Sequence, residues 1–274
     1  MFHSPANDPT PRSDAATPAE VATIAQLDWL AAHALPAEMS SNVDGWLLRY
    51  HYGMTRRANS VLPVAQGKLT TTQKLSIIEN FYEGAKQPAR FQVSPACAPR
   101  DLPDILVARG YQVDSVTYLQ VADVNTVIER AKPKQFEIWL QKNVTPAWLE
   151  HETHFAHPER TKKPAYRSLF ENLPNPSTFA SLRQENAVIA LGLCVFHREA
   201  NKAGLFNIAT QPNMRRRGAA TSLLYYLAKW AEKQGATQLY LQVENNNANA
   251  NALYAKLGFE TLYSYQHWYK SRTS

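Results

Sequence analysis

Hydrophobic and polar positions change period along this chain, and the changes mark out its elements. Residues 1–17 carry Pro, Ser, Asp and Thr with little apolar content and read as a disordered tail. Over residues 18–35, Val21, Ile24, Leu27, Leu30 and Ala31 fall on one stripe, the spacing of an amphipathic helix. Apolar stretches at 45–50 and 58–64 predict strands around a turn at Gly53. A second helical stripe begins at Thr72, carries Leu75, Ile78 and Tyr82, and ends near Gly84. A strand at 89–93, a helix at 102–109 and a strand at 112–121 follow. Residues 136–140, 179–182 and 188–196 read as further strands, the last two forming a hairpin, while 145–175 is mainly helical and rich in Pro and His. The apolar run at 205–209 suits a buried strand. Leu223, Leu224, Leu227, Ala228 and Ala231 then recur at helical spacing, and Gly235 is placed to stop that helix. Leu239, Leu241 and Val243 alternate with Gln238, Tyr240 and Gln242, as in a strand with two unlike faces. The Asn-rich stretch after it suits a turn and an N-cap, residues 250–257 a short helix, and Gly258 its end.

The order of elements repeats. Leu106-Val107-Ala108-Arg109-Gly110-Tyr111 aligns with Tyr254-Ala255-Lys256-Leu257-Gly258-Phe259, and a strand follows each. Upstream, the helix from Thr72 and the strand from Ala89 stand where the helix from Thr221 and the strand from Gln238 stand. Two units are expected, 18–124 and 135–274, joined by a linker at 125–134 that ends in Lys132-Pro133-Lys134.

Composition narrows the classes. At 274 residues and 45% hydrophobic the chain can bury real cores. It has no apolar run long enough to span a bilayer and no basic-then-apolar signal pattern, so a cytoplasmic location is expected. Cys97 and Cys194 are too few for a disulfide framework. A net charge of +6 favours anionic ligands only weakly.

The chemistry concentrates in the last quarter. Arg215-Arg216-Arg217-Gly218-Ala219-Ala220 sits between a strand and a helix. Such a loop leaves backbone N–H groups unpaired at the positive end of the helix dipole, and small residues let a phosphate approach them. The loop resembles the Gln/Arg-x-x-Gly-x-Gly/Ala pyrophosphate loop of the GNAT superfamily of acyl-CoA-dependent N-acetyltransferases. Asn247, Ala250, Leu253, Tyr254, Lys256, Gly258 and Phe259 are similar, in register, to that superfamily's later Asn-x-x-Ala-x-x-Leu-Tyr-x-Lys-x-Gly-Phe signature. Each motif alone is weak; both at this separation are specific.

The resemblance implies an α/β (α+β) fold of two GNAT-like units. Each would be a mixed, mainly antiparallel sheet flanked by helices, with a splayed coenzyme-binding strand pair in the C-terminal unit. It implies acetyl-CoA as co-substrate, an amine acceptor and no metal. The N–H groups around Arg216, Gly218, Ala220 and Thr221 would hold the pyrophosphate, with Arg215, Arg217 and Ala219 in the same loop. The main chain of Ile208, Ala209 and Thr210 would pair with the pantetheine arm, and Asn247 would face it. Tyr254 would protonate the leaving thiolate, as a phenol that keeps its proton at neutral pH can do. Asn246 borders the same cleft.

Glu244, at a strand end, is the first candidate for the base that deprotonates the amine through water, and His197 the second. Asn207 faces the cleft but, as an amide, can only position water or acceptor. The N-terminal unit lacks the phosphate loop, and Leu106 stands where Tyr254 stands, so that copy reads as catalytically degenerate. Its Thr55-Arg56-Arg57-Ala58-Asn59-Ser60 resembles a segment of tandem GNAT proteins and is a candidate border of the acceptor cleft. His151, His154 and His157 have a metal-like spacing but spread over a wide arc on a helix, and a polar helix face accounts for them better. A coenzyme-binding sensor without turnover, a mycothiol-synthase-like enzyme and a nucleic-acid module built on the arginine run remain as alternatives.

Overall fold

The computed structural model describes residues 17–156, 164–174 and 176–271. The expected tail lies outside these except for Thr17, and His157 lies outside them too.

Helix α1 (Pro18–Ala34) opens with a capping box. The Thr17 hydroxyl accepts the Glu20 N–H at 3.3 Å, and the Glu20 carboxylate accepts the Thr17 N–H at 2.8 Å. Strands β1 (Met39–Val43), β2 (Trp46–Tyr50) and β3 (Leu62–Pro63) form a small antiparallel sheet. β1 is largely exposed and polar, so its sequence carries no strand period. After them come α2 (Thr71–Gly84), β4 (Ala89–Val93), α3 (Leu102–Ala108) and β5 (Gln112–Asp123). Residues expected as a linker hold helix α4 (Val124–Arg130), whose Val124 and Val127 are buried in the same core as the leucines of α7. The N-cap is Asp123, whose carboxylate accepts the Thr126 N–H at 3.0 Å.

The C-terminal half runs β6 (Glu137–Gln141), α5 (Pro146–Ala156), α6 (Pro164–Ser168), β7 (Ser177–Gln184), β8 (Ala187–His197) and β9 (Lys202–Thr210). It ends with α7 (Ala219–Gln234), β10 (Gln238–Glu244), α8 (Ala248–Lys256) and β11 (Glu260–Lys270). The expected pair of separate sheets is not what forms. One eight-stranded sheet, ordered β4-β11-β5-β10-β9-β8-β7-β6, takes strands from both halves. β11 lies between β4 and β5, and β5 pairs antiparallel with β10. Among the described residues, β9 and β10 are the only neighbouring strands of this sheet that run parallel.

The repeated helix end survives as geometry. Gly110 and Gly258 both take positive φ, +84° and +94°. The following Tyr111 and Phe259 N–H groups return to Leu106 and Tyr254 carbonyls, each at 3.0 Å. Each turn then launches a strand that crosses to the other half's sheet partner. α7 buries Leu223, Leu224 and Leu227 on one face of the sheet, each contributing about 2 kcal/mol of apolar burial. On the other face α1 and α5 pack through Leu27, Trp148 and Phe155 against Phe206 and Tyr240.

Candidate functional site

The site begins where a strand ladder stops. β9 and β10 pair from Lys202↔Gln238 only as far as Leu205↔Leu241, although both strands run on. Beyond that point β10 remains paired with β5 through Thr117↔Glu244. β9 loses regularity just there. Opposite Gly192 it inserts an extra residue, with Asn207 at φ +51°. A Cβ on Gly192 would stand 2.6 Å from Ile208 Cδ1, so the glycine lets the Ile208 side chain lie directly across from the bulge. Past the bulge, Ala209 and Thr210 pair with β8, and neither they nor Ile208 pair with a strand on the β10 side.

The arginine loop closes one end of this gap. Arg216 (φ +60°) and Gly218 (φ +89°) adopt left-handed conformations, which turn successive N–H groups outward. Gly218 is the N-cap of α7 and offers no side-chain cap, while the first helical bond is Ser222 N–H to the Gly218 carbonyl at 3.0 Å. The N–H groups of Ala219, Ala220 and Thr221 therefore have no partner within the helix. Arg215, Arg216 and Arg217 are exposed, and among the described residues neither Arg216 nor Arg217 has an ion pair or hydrogen bond. Lys134, expected in the linker, lies on this loop. Its N–H donates to Ser222 Oγ at 2.9 Å, and its Cε is 3.2 Å from where a Cβ on Gly218 would be.

Tyr254 is buried in the core shared with α7, Leu205, Leu241 and Val243, edge-on to Phe259 at 5.7 Å between ring centroids. Burial pushes its phenol up to about 12. Asn247 caps α8, its Oδ1 accepting the Ala250 N–H at 3.2 Å, so that acceptor is engaged within the fold. The turn carrying Asn246 is held by Asn251, which the motif leaves as a variable position. Its amide donates to the carbonyls of Glu244 and Asn247 at 3.2 and 3.0 Å.

Glu244 belongs to the opposite face. With Gln242 and Asn207 it lines a pocket of about 430 Å³ whose far wall comes from the N-terminal half: Thr55, Arg56, Arg57 and Asn59. The Arg56 guanidinium meets the Glu244 carboxylate at 2.5 Å and Asp114 at 2.9 Å. Arg57 donates to Gln242 Oε1 at 3.0 Å and lies over the Phe206 ring. Tyr254 and Glu244 thus lie on different faces of the sheet. His197 sits at the paired end of β9, beside Lys202 in register. Its Nε2 is 2.8 Å from the Tyr240 hydroxyl, and burial lowers it to about 4.

The histidine-rich helix does not present a polar face throughout. Glu152 of α5 is fully buried, its carboxylate accepting from Asn207 Nδ2 at 2.8 Å and from the Tyr166 hydroxyl at 2.7 Å. That network holds the bulge, and nothing in the local sequence separates Glu152 from the exposed Glu150 of the same helix. Among the described residues no group of three metal-ligating side chains gathers, and no helix is long and apolar enough to cross a membrane.

A family model described as the C-terminal region of the probable histone acetyltransferase Rv0428c matches residues 21–268. The uncharacterized N-acetyltransferase YobR of Bacillus subtilis (strain 168) is 29% identical over 245 residues, covering 87% of this chain and 95% of that protein. A ribosomal protein bS18-alanine N-acetyltransferase of Escherichia coli (strain K12) is 46% identical over 59 residues, 22% of this chain and 40% of the relative. Among solved structures, a GCN5-related N-acetyltransferase from Kribbella flavida superposes with a TM-score of 0.66, covering 92% of this chain and 96% of its own at 15% identity. At that identity the likeness is one of fold.

Proposed function

The chain belongs to the family of the Rv0428c C-terminal region and is an acyltransferase of the GNAT type, and on that premise we propose that it moves an acetyl group from acetyl-CoA to an amine by direct attack. The observation that carries the donor assignment is the coincidence of two openings. The parallel ladder stops at Leu205↔Leu241, and the uncapped start of α7 stands behind Gly218. An extended pantetheine arm needs the first, since its amides can complete the unpaired edge of Ile208, Ala209 and Thr210 as a strand would. A pyrophosphate needs the second. Arg215, Arg216 and Arg217 add charge at the same end.

In this reading Tyr254 acts from the α7 face of the sheet. The amine nitrogen bonds to the thioester carbon, the carbon–sulfur bond breaks, and Tyr254 donates its hydroxyl hydrogen toward the departing thiolate. The raised phenol supports that role, because the group stays protonated until the sulfur needs it. Glu244 receives the amine's proton through water from the pocket face. Its ion pair with Arg56 sets the carboxylate's direction and makes the N-terminal half part of the acceptor site. Asn207, fixed by Glu152, positions the acceptor. Proximity across the gap supplies much of the acceleration.

Release of free coenzyme A thiol, recorded with a panel of amines, tests this. Acetyl-CoA consumption that depends on an added amine and collapses in Tyr254→Phe is expected; binding without turnover over the whole panel would leave a sensor.

A further inference from the structure

The pocket beside Glu244 has an electrostatic imbalance. Three guanidinium groups, of Arg56, Arg57 and Arg90, face it. Two carboxylates answer them: Glu244 pairs with Arg56, and Asp114 with both Arg56 and Arg90. Arg57 is the one left over. Among the described residues it has no carboxylate partner, only the neutral Gln242 amide at 3.0 Å and the Phe206 ring beneath it at 5.7 Å. That ring and amide hold the guanidinium half-buried in one orientation, with further N–H donors unassigned. His267, also in the lining, adds no charge: burial and the neighbouring arginines Arg90, Arg49, Arg56 and Arg57 keep it neutral. The lining residues also carry two buried polar atoms without hydrogen-bond partners, Asn207 Oδ1 and His267 Nε2.

We infer that the acceptor is a small primary amine that also carries an oxyanion, a carboxylate or a phosphate, and that Arg57 is the residue that pairs with it. This rests on the transferase reading above and deepens it. A planar guanidinium matches an oxyanion with two parallel hydrogen bonds, and partial burial strengthens them. A volume of about 430 Å³ suits a small molecule. A lysine-rich protein tail is disfavoured on the same ground, since its neighbouring cations would meet an uncompensated arginine.

The test compares amines that differ only in the anionic group: L-amino acids against their amides, and phosphoethanolamine against ethanolamine, each with acetyl-CoA. A charge-assisted pair predicts at least about a tenfold higher kcat/KM for the anionic member of one or both sets. In Arg57→Gln that preference falls below about threefold through KM, with acetyl-CoA affinity retained as the check on folding. Parity within both sets, a preference for the uncharged members, faster turnover of a lysine-rich peptide, or no turnover of any member by protein that binds acetyl-CoA would each overturn the acceptor class. Failure to bind acetyl-CoA would instead overturn the transferase reading beneath it.

Discussion

Replacing Gly218 by alanine separates two costs that usually travel together. The residue sits at φ +89°, where a side chain costs about 1–2 kcal/mol. For a chain of this size that lowers Tm by about 2–4 °C per kcal/mol. The added Cβ would also stand 3.2 Å from Lys134 Cε, which a flexible side chain can relieve. What it cannot relieve is the methyl group's position among the N–H donors that open α7. Losing one charge-assisted hydrogen bond to a pyrophosphate costs about 1.5–3 kcal/mol, roughly a 10–150-fold weaker Kd. Gly110→Ala is the matched control: φ is +84°, and nothing lies within 4 Å of the added Cβ. Both variants should therefore lose similar Tm in a calorimetric scan, while only Gly218→Ala loses acetyl-CoA affinity in a titration. Equal affinity in wild type, Gly110→Ala and Gly218→Ala would refute the assignment of this loop to the pyrophosphate.

Tyr254→Phe keeps the buried ring beside Phe259 and removes only the hydroxyl; kcat should fall by about 10²–10³ with KM for acetyl-CoA little changed. Because the phenol is pushed up to about 12, the pH–rate profile should show no alkaline loss from this group between about pH 7 and 10. An alkaline limb in that window that disappears in the Phe variant would contradict its role. Lys134→Gln should weaken acetyl-CoA binding a few-fold, and the difference should shrink as salt rises; a salt-independent or absent effect would remove Lys134 from the donor site. His197 is depressed from 6.5 to about 4 by burial, so the unfolded chain binds its proton first. That part of the stability is complete above pH 6.5 and falls by up to about 1.4 kcal/mol per unit as pH drops toward 4. Urea titrations at two pH values should show a smaller acid loss in His197→Asn than in the native chain.

Most elements were legible because their apolar spacing is local. The leucines of α7, the alternation along β10 and the glycine ends of α3 and α8 all lie within a few residues of the feature they specify. Partner choice is not local. Nothing in the spacing of residues along β11 says that it inserts between β4 and β5, because an apolar–polar strand fits any sheet edge of matching pattern. The α4 helix was hidden by Lys132-Pro133-Lys134 beyond its end, although Val124, Val127 and Ile128 carry a helical step. The bulge at Asn207 was invisible for the opposite reason. The run around it is apolar on both faces, so an extra residue leaves no break in alternation. Glu152, Arg56 and Lys134 reach the site from remote segments. Their importance comes from contacts 55, 188 and 88 residues apart in the chain.

In the proposed reaction Gly218 and its arginines, the open edge of β9 and Tyr254 compose one donor site. A calorimetric titration with acetyl-CoA, with free adenosine as the control ligand, decides whether they do. One acetyl-CoA bound per chain is expected, with affinity that adenosine alone does not reproduce. Absence of acetyl-CoA binding, or equal binding of adenosine, would rule out such a donor site.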